Sequence, residues 1–458
     1  MKNNQYPVKS FIGAAVLAIM SSQTSHAGAF SLYTESSAAA IGNFAAGIAA
    51  EAADASTAWY NPAGLVLLKK QELVVSGVGV FPSSKLTGVS TFATEGAPSY
   101  VQSFTDLQGA EHALVPAIHY ALPLGDRAAF GLSVVSPFGL STRYDQSSPV
   151  RYAATLTDLR TIDVSPDIAG KFTDNISFGL GLNLQYARVK FNGMLGAPTL
   201  PFFNPEATPT TFDSSSVNEG NSFGVGFHTG LLGVFNDNHT RVGLNYQSKI
   251  LHQFNGTSTL TGTLVDLDNP FASFSDSTLV SNDINLPDVL TLSAYQDVNN
   301  KLALLGSVVY TGWSSFKEIE LNNVVIGPST YTDSVATENY RDAWRVAIGA
   351  NYHVTDKWMM RVGGGFDQTP TVNSARDVRL PDASRWALSV GAHYQPRFNV
   401  GLDVGYTYLF AANDSVVNKT QAIGDESSYN VNATAKVNAQ LVGLQVVWAI
   451  DQVENKTA

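Results

Sequence analysis

The chain has 458 residues, a formal net charge of −11 at pH 7 and no cysteine. The absence of cysteine excludes disulfide bonds and thiolate metal sites, and the acidic balance argues against nucleic acid as a partner. Charged residues make up only 14% of the chain, against ~25% in ordinary globular domains. This composition predicts that much of the surface lies in an environment that disfavours charge.

The first 27 residues have the pattern of a secretory signal peptide. Lys2 and Lys9 accompany an uncharged apolar run over residues 11–20, and Ser25-His26-Ala27 places small residues where a signal peptidase reads them. The run is too short for a transmembrane helix, and no later stretch approaches the roughly 18 apolar residues that such a helix needs. We therefore expect an exported protein whose mature chain starts at Gly28.

Residues 28–70 form a segment rich in Ala and Gly ahead of the first predicted strand. The stretch SSAAAIGNFAAGIAAEAADAS favours short helices, whereas Asn61-Pro62 interrupts them because proline disfavours helix at the preceding residue. Pro62 suits the first position of a new helix capped by Asn61, so we expect a break at Asn61, Pro62 and Ala63. A disordered periplasmic tail is the alternative. Against it stand the apolar residues of the segment, namely Phe30, Leu32, Tyr33, Ile41, Phe44, Ile48, Trp59 and Tyr60.

Between residues 71 and 450, several stretches alternate strictly between apolar and polar positions. The pattern of FGLGLNLQY at 178–186 recurs at 344–352, 386–394 and 400–408. Such alternation predicts strands with one apolar and one polar face. In three of these four stretches the apolar face carries an aromatic residue at both ends, which is typical of a transmembrane β-barrel with aromatic girdles. A soluble β-sandwich is the alternative, but the low charge and the signal peptide favour the barrel.

The connections between these strands alternate in length. Short turns are predicted near 124–127, 173–175, 236–239, 298–300, 354–356 and 395–397. Long polar loops are predicted near 82–111, 139–153, 192–220, 256–284, 315–339, 369–383 and 411–434. Outer-membrane barrels have short periplasmic turns and long external loops, so these connections predict fourteen strands, from 71–81 to 436–450, before a polar tail at 451–458. Because such a lumen is too wide for its own side chains to fill, we expect residues 28–70 to plug it as a hatch.

Six segments carry a resemblance to a known family. They are GAFSLYTESSAAAIG from residue 28, Asn61-Pro62-Ala63, PFGLSTRY at 137–144, FGLGLNLQYARVK at 178–190, TGWSSF at 311–316 and RDAWRVAIGANY at 341–352. Together they resemble the FadL/TodX (OmpP1) transporters of long-chain fatty acids and hydrophobic compounds. The resemblance implies an all-β fold: a fourteen-stranded antiparallel transmembrane β-barrel with a partly helical hatch, in the outer membrane of a Gram-negative bacterium.

The resemblance also implies a path for the ligand. The ligand would land in a groove between two outer loops, pass to a pocket beside the hatch and leave sideways through a gap in the barrel wall. Pro137 deletes a ladder donor after the third strand, so we expect the gap at Ser136, Pro137 and Gly139, unless Pro137 simply ends the strand. Exposed apolar clusters mark binding surfaces, although these loops could also pack as a closed cap. The apolar loop residues in question are Met194, Leu195, Leu200, Phe202, Phe203, Phe271 and Phe274.

The residues that would bind the head group of the ligand need separate consideration. By resemblance, the basic residues that hold a fatty-acid carboxylate would fall near Gly193 and Ala336, and neither is basic. The candidate carboxylate anchors are therefore Arg345 and Arg385, on the polar faces of their strands. Their alternative role is pairing with hatch acids, for which we considered Glu51 and Asp54.

Other roles follow from the remaining features. Arg188 and Lys190 share the lipid-facing parity of Tyr186 and are expected to meet lipopolysaccharide phosphates. A channel for neutral aromatic or aliphatic hydrocarbons is the main alternative function, and a general porin or an outer-membrane hydrolase is a weaker one. The eight histidines are scattered along the chain, and there is no metal-ligand spacing, so we expect no enzyme activity, no cofactor and no metal.

Overall fold

A computed structural model describes residues 30–450. The predicted signal peptide, the predicted start at Gly28 and the tail at 451–458 lie outside the described residues. No helix among residues 30–450 is both long and apolar enough to cross a membrane.

Fourteen antiparallel strands form the wall of a closed barrel, as the alternation predicts. The wall strands are β1 (Gln71–Thr94), β2 (Ala113–Pro123), β3 (Ala128–Val135), β4 (Leu156–Lys171), β5 (Ile176–Leu195), β6 (Ser214–Phe235), β7 (Thr240–Gln247), β8 (Val289–Asp297), β9 (Leu302–Thr311), β10 (Ala343–Thr355), β11 (Trp358–Asp367), β12 (Arg385–Arg397), β13 (Val400–Ala411) and β14 (Ser427–Ile450). Each wall strand pairs with its neighbours in sequence, and β14 closes the barrel by pairing with β1 from Gln71↔Ile450 to Thr94↔Ser427.

The long outer connections contain further strands. These lie at Tyr100–Gln108, Gly139–Arg143, Ile250–His252, Asn255–Gly262, Ser273–Ser281, Ile284–Leu286, Glu318–Gly327, Thr330–Thr337 and Ser415–Ile423. Two short 3-10 helices lie at Leu200–Phe202 and Trp313–Ser315. Because loop strands pair with extended wall strands, β1 runs to Thr94 and β14 starts at Ser427, well beyond the predicted limits of 81 and 436. Two periplasmic turns also shift slightly, to residues 356–357 and 398–399.

The outer surface of the wall carries the predicted aromatic girdles. Near the outer ends of the strands, the rings of Tyr310 and Trp344 lie 5.0 Å apart. Near the periplasmic ends, Trp358 and Tyr394 stack at 4.3 Å. Amphipathic aromatic side chains at two levels match the two interfaces of a membrane.

Residues 30–70 lie inside the barrel as short helices. They comprise α1 (Ala38–Ile41), α2 (Ile48–Glu51), α3 (Thr57–Tyr60) and a 3-10 helix (Pro62–Leu67). We refer to residues 30–70 as the hatch. Almost all of its side chains are buried against the wall, which agrees with the predicted plug.

Wall glycines make room for the hatch. A Cβ added at Gly391 would lie 2.6 Å from the Cα of Gly42, and one added at Gly443 would lie 2.7 Å from the Cβ of Ala38. Similar clashes would arise at Gly179, Gly230, Gly243, Gly363 and Gly405. Real Cβ atoms do not come this close to other heavy atoms. Glycine at these positions on the inner face of the wall therefore lets the hatch backbone pack directly against it.

Candidate ligand-binding site

An apolar pocket lies between the outer loops and the hatch. The space free of protein atoms there is about 590 Å³ with open solvent included. Val189 and Phe191 of β5, Phe254 and Leu380 line it, and Phe30 contributes from the hatch. Pockets that bind small molecules are concave and mostly apolar, with few polar groups at defined positions. We refer to this space as the ligand pocket.

Four charged side chains gather at one end of the ligand pocket. Glu338, Asp377 and Arg379 line it, and the Lys419 Nζ lies 3.4 Å from Glu338 Oε1 and 3.3 Å from Asp377 Oδ2. Arg379 donates to Thr157 Oγ1 at 2.8 Å and to the carbonyl of Ala153. We refer to Glu338, Asp377, Arg379 and Lys419 as the polar end.

The polar end carries more positive than negative charge near neutral pH. Burial raises the pKa of Glu338 to about 8, so this side chain is largely protonated at pH 7. Burial also opposes ionisation of Asp377, but Lys419 and Arg379 outweigh it and lower the pKa of that carboxyl. Two cations then face one carboxylate, and the pocket combines apolar walls with a site that favours an anionic head group.

Phe30, in the N-terminal part of the hatch, closes the lower side of the ligand pocket. The Phe30 ring lies 4.6 Å from the ring of Trp313 and 5.5 Å from that of Phe316. Phe138 and Tyr340 complete this aromatic cluster. The floor of the pocket therefore depends on the N-terminal part of the hatch.

The wall is interrupted beside this floor. Pairing between β3 and β4 stops at Val135↔Asp163. Pairing of β4 with the loop strand Gly139–Arg143 starts at Gly139↔Arg160. Residues 136–138 bend inward, where the Pro137 carbonyl accepts from the Leu32 N–H at 2.8 Å. On the other side, the pairing of β2 with β3 covers only residues 118–123. Within the described chain, residues 113–117 of β2 therefore have no strand partner on this side.

The Asn-Pro pair of the hatch forms the expected break. The Asn61 Oδ1 accepts from the Ala63 N–H at 3.1 Å, and Pro62 starts the 3-10 helix. The Asn61 Nδ2 donates to the carbonyls of Ala49 at 2.6 Å and Leu231 at 3.0 Å. Asn61 thus caps a helix and also ties two parts of the hatch to β6 of the wall.

With this geometry established, the chain can be compared with known proteins. Residues 17–449 match the family model described as outer membrane protein transport protein (OMPP1/FadL/TodX). The chain belongs to this family. Together with the barrel, membership of the OMPP1/FadL/TodX family places the protein in the outer membrane.

Relatives and solved structures agree with the family. The long-chain fatty acid transport protein of Escherichia coli strain K12 is 28% identical over 425 residues, covering 88% of this chain and 91% of that protein. Outer membrane protein P1 of Haemophilus influenzae strain Rd is 29% identical, covering 94% and 96%. In fold, the chain is similar to a Pseudomonas aeruginosa FadL homologue, with a TM-score of 0.79 at 24% identity over 93% of this chain and 100% of that one. It is also similar to the Ralstonia pickettii toluene transporter TbuX, with a TM-score of 0.62 at 17% identity over 92% and 100%.

The two arginines selected from the sequence lie in different surroundings. Arg345 is buried, donates to the Phe44 carbonyl at 2.8 Å and stacks 3.8 Å from the centre of the Phe44 ring. Within residues 30–450 it makes no ion pair, and its Nε has no partner. Arg385 instead donates to Asp367 at 2.8 Å.

Neither arginine pairs with the hatch acids considered as alternatives. Glu51 accepts from Asn351 at 2.7 Å, and Asp54 accepts from Gln445 at 2.8 Å. The expectation of an ion pair between these acids and the two arginines is wrong. Each carboxylate accepts a hydrogen bond from an amide side chain of the wall instead.

The apolar loop residues predicted to form a landing groove are not gathered into one cluster. Phe202 and Phe203 are 57% exposed and pack edge to face at 5.2 Å, and Phe271 is 86% exposed. Leu195, Leu200 and Phe274 are half-buried. Met194 is buried in a cluster with Tyr152 and other residues of the outer loops.

Arg188 and Lys190 point outward, as their parity predicts. Both contact Glu219, at 3.0 Å and 2.7 Å. They lie on β5 beyond Tyr186, on its outer side, where lipid head groups would be.

Sequence reasoning missed the polar end altogether. Arg379 and Asp377 lie in an irregular loop, and Glu338 and Lys419 lie in two other outer segments. No periodicity links them, and only the fold brings them together. The one signal available was the position of four ionisable residues in outer loops of a chain with few charges.

Proposed function

We propose that the protein transports long-chain fatty acids across the outer membrane. The ligand pocket supports this proposal, because apolar walls suit an acyl chain and the polar end suits a carboxylate. Burying a carboxylate without a partner is costly, and Arg379 with Lys419 supplies the charge that offsets this cost. The long-chain fatty acid transport proteins among the relatives make the same cargo the first choice here.

The proposed path has three steps. Cargo is captured by the outer loops at the exposed side chains of Phe202, Phe203 and Phe271. It then moves into the ligand pocket above Phe30. Release occurs sideways at Ser136, Pro137 and Gly139, since within the described chain residues 113–117 of β2 have no strand partner on the side of this segment.

The carboxylate can be held at two levels. Arg379 lies at the polar end of the ligand pocket, and Arg345 lies deeper, against the hatch, with an unused Nε–H. Arg385 is the weaker candidate because Asp367 already neutralises it. We therefore add Arg379 to the candidate anchors Arg345 and Arg385, and place it first.

A channel for neutral hydrocarbons is the second candidate. The observation in its favour is that each cation of the polar end already lies near an acid, with Lys419 contacting both Glu338 and Asp377. Among the structural neighbours are proteins described as a toluene transporter and a monoaromatic hydrocarbon channel. A neutral cargo would need no cation at all.

Binding of oleate and toluene to the purified protein separates the two candidates. We expect saturable oleate binding, weakened by about 1.5–3 kcal/mol in Arg379→Gln, the contribution of a charge-assisted hydrogen bond. Toluene binding should not change in this variant. If wild type binds toluene but not oleate, the hydrocarbon channel replaces the fatty-acid proposal.

Two further parts of the proposal concern partners and chemistry. Arg188 and Lys190 would contact lipopolysaccharide phosphates, since they lie outside the wall beyond the outer girdle. The family consists of transport proteins, and we propose that this member has no catalytic role, no cofactor and no nucleic-acid partner.

A further inference from the structure

A second apolar cavity lies beside the ligand pocket. The space free of protein atoms there is about 530 Å³ with open solvent included, and β1, β13 and β14 bound it. Leu409 of β13 and Ala439 of β14 belong to its mostly apolar lining. We refer to it as the side cavity. No step of the proposed path uses it.

Leu380 lines both spaces. It contacts the ligand pocket next to Arg379 and the side cavity next to Pro381, and it is only 6% exposed. Its side chain therefore stands where the two spaces meet.

The segment that carries Leu380 has no regular secondary structure but is held from one side. Thr142 Oγ1 donates to the Arg379 carbonyl at 2.7 Å, and the Tyr144 hydroxyl donates to the Val378 carbonyl at 2.8 Å. The backbone is thereby fixed, whereas the Leu380 side chain is anchored only by apolar contacts. Rotation of this side chain would connect the two spaces without moving the backbone.

Charge distinguishes the side cavity from the ligand pocket. Arg385 lines the side cavity, but its guanidinium lies 2.8 Å from Asp367 and 3.9 Å from Asp382. The cation there is balanced by acids, so an anionic head group gains little from entering. An acyl tail does gain, because each methylene that leaves water for an apolar lining tightens binding.

We infer that the side cavity binds the methyl end of a long-chain fatty acid whose carboxylate lies at the polar end, with Leu380 as the partition that the chain passes. The inference rests on the proposed function. It gives the protein a means of selecting chain length, since a short acid fills the ligand pocket alone and a long one uses both spaces.

Substitutions that fill the side cavity test this directly. Ala439 faces the cavity, whereas Gln440, the next residue of β14, faces outward. We compare Ala439→Phe and Leu380→Trp with the control Gln440→Phe, measuring the binding of radiolabelled decanoate and oleate to the full-length protein. The first two should weaken oleate binding at least about tenfold, the loss of roughly two buried methylenes. Decanoate binding should stay near the wild-type value in Ala439→Phe and Gln440→Phe. In Leu380→Trp it should weaken less than oleate binding does, because Leu380 also lines the ligand pocket.

Two results would overturn the inference while leaving the proposed function intact. One is oleate binding near the wild-type value in both cavity variants; the other is an equal loss for decanoate and oleate. A wild type that binds no oleate would overturn the proposed function as well. Leu380→Trp lies in an outer loop, so it remains informative if Ala439→Phe does not fold.

A crystal of wild type with a palmitate analogue brominated on its terminal carbon gives an independent answer. Anomalous density beside Ala439 and Leu409 is the expected result. Density beside Phe30 alone would contradict the inference.

Discussion

At the scale of single residues, the polar end shows how burial and charge set the ligand preference together. Glu338 is buried with Lys419 as a neighbour, yet burial dominates and raises the pKa of Glu338 to about 8. The charge of Glu338 therefore changes just above neutral pH. Because Glu338 lines the ligand pocket, this charge lies close to a bound head group. The other carboxyl of the polar end, Asp377, has a lowered pKa and stays ionised over the same range.

This difference predicts a pH dependence of binding. As pH rises through about 8, Glu338 ionises, and the new negative charge should weaken the binding of an anionic ligand severalfold. A long-chain alkyl sulfonate is the appropriate probe, because its head group remains ionised throughout. Affinity should fall between pH 7 and pH 9 in wild type and stay level in Glu338→Gln. An equal fall in both proteins would assign the effect to another group.

Arg345 and Arg385 provide a second prediction at this scale. Arg345 has an unused donor, whereas Arg385 is already paired with Asp367. If cargo reaches the hatch, Arg345→Gln should slow oleate uptake by cells more than Arg385→Gln does. Amounts of heat-modifiable protein in the outer membrane serve as the control for folding. Equal uptake by Arg345→Gln and wild type would show that Arg345 has only a structural role, holding Phe44 of the hatch in place.

At the scale of elements, the hatch and the wall fit each other through glycine. A Cβ at Gly405 would overlap the Ala38 carbonyl oxygen and lie 2.8 Å from the Gly42 nitrogen. The hatch there is held by backbone contacts, so it cannot yield as a flexible side chain would. The seal depends on small residues on both sides.

Gly405→Val should therefore loosen the hatch. Overpacking of this kind costs about 1–3 kcal/mol, and we expect a raised ion conductance in planar bilayers together with a lower melting temperature. Gly77→Val is the matched control, because its Cβ points outward and would meet only the Leu114 side chain, at 3.6 Å. Unchanged conductance in Gly405→Val would mean that the hatch can shift without opening a path for ions.

The wall strands could be predicted from the sequence, whereas the pocket could not. Alternation along β5 or β12 is a local property that fixes which side chains face lipid. Arg379 and Phe30 line one pocket, with Lys419 next to Asp377 and Glu338 of the same lining, only because a loop, the hatch and a loop strand converge. No local pattern encodes that arrangement. The interruption after Val135 could be predicted only in part. Pro137 indicates where strand pairing fails. It does not indicate that the backbone of Phe30 and Leu32 forms the hydrogen bonds that the strands give up.

At the scale of the whole molecule, the barrel has two layers that could separate outside from inside. The hatch fills the lumen, and the outer loops pack over it in an apolar cluster that includes Tyr144, Tyr152 and Tyr429. A wall of fourteen strands alone encloses an aqueous channel. Ion conductance in planar bilayers shows which of the two layers forms the seal.

Removing residues 28–65 should open the pore. The wall strands start at Gln71 and close on each other without the hatch, so the shortened protein should still form a heat-modifiable barrel. Its lumen would then hold continuous water, and planar bilayers should show large, stepwise, porin-like currents where wild type shows almost none. The deletion also removes Phe30, the floor of the ligand pocket, so oleate binding should be lost in the same protein. If the current does not rise although the barrel is heat-modifiable, the outer loops are the seal, and the hatch serves the pocket alone.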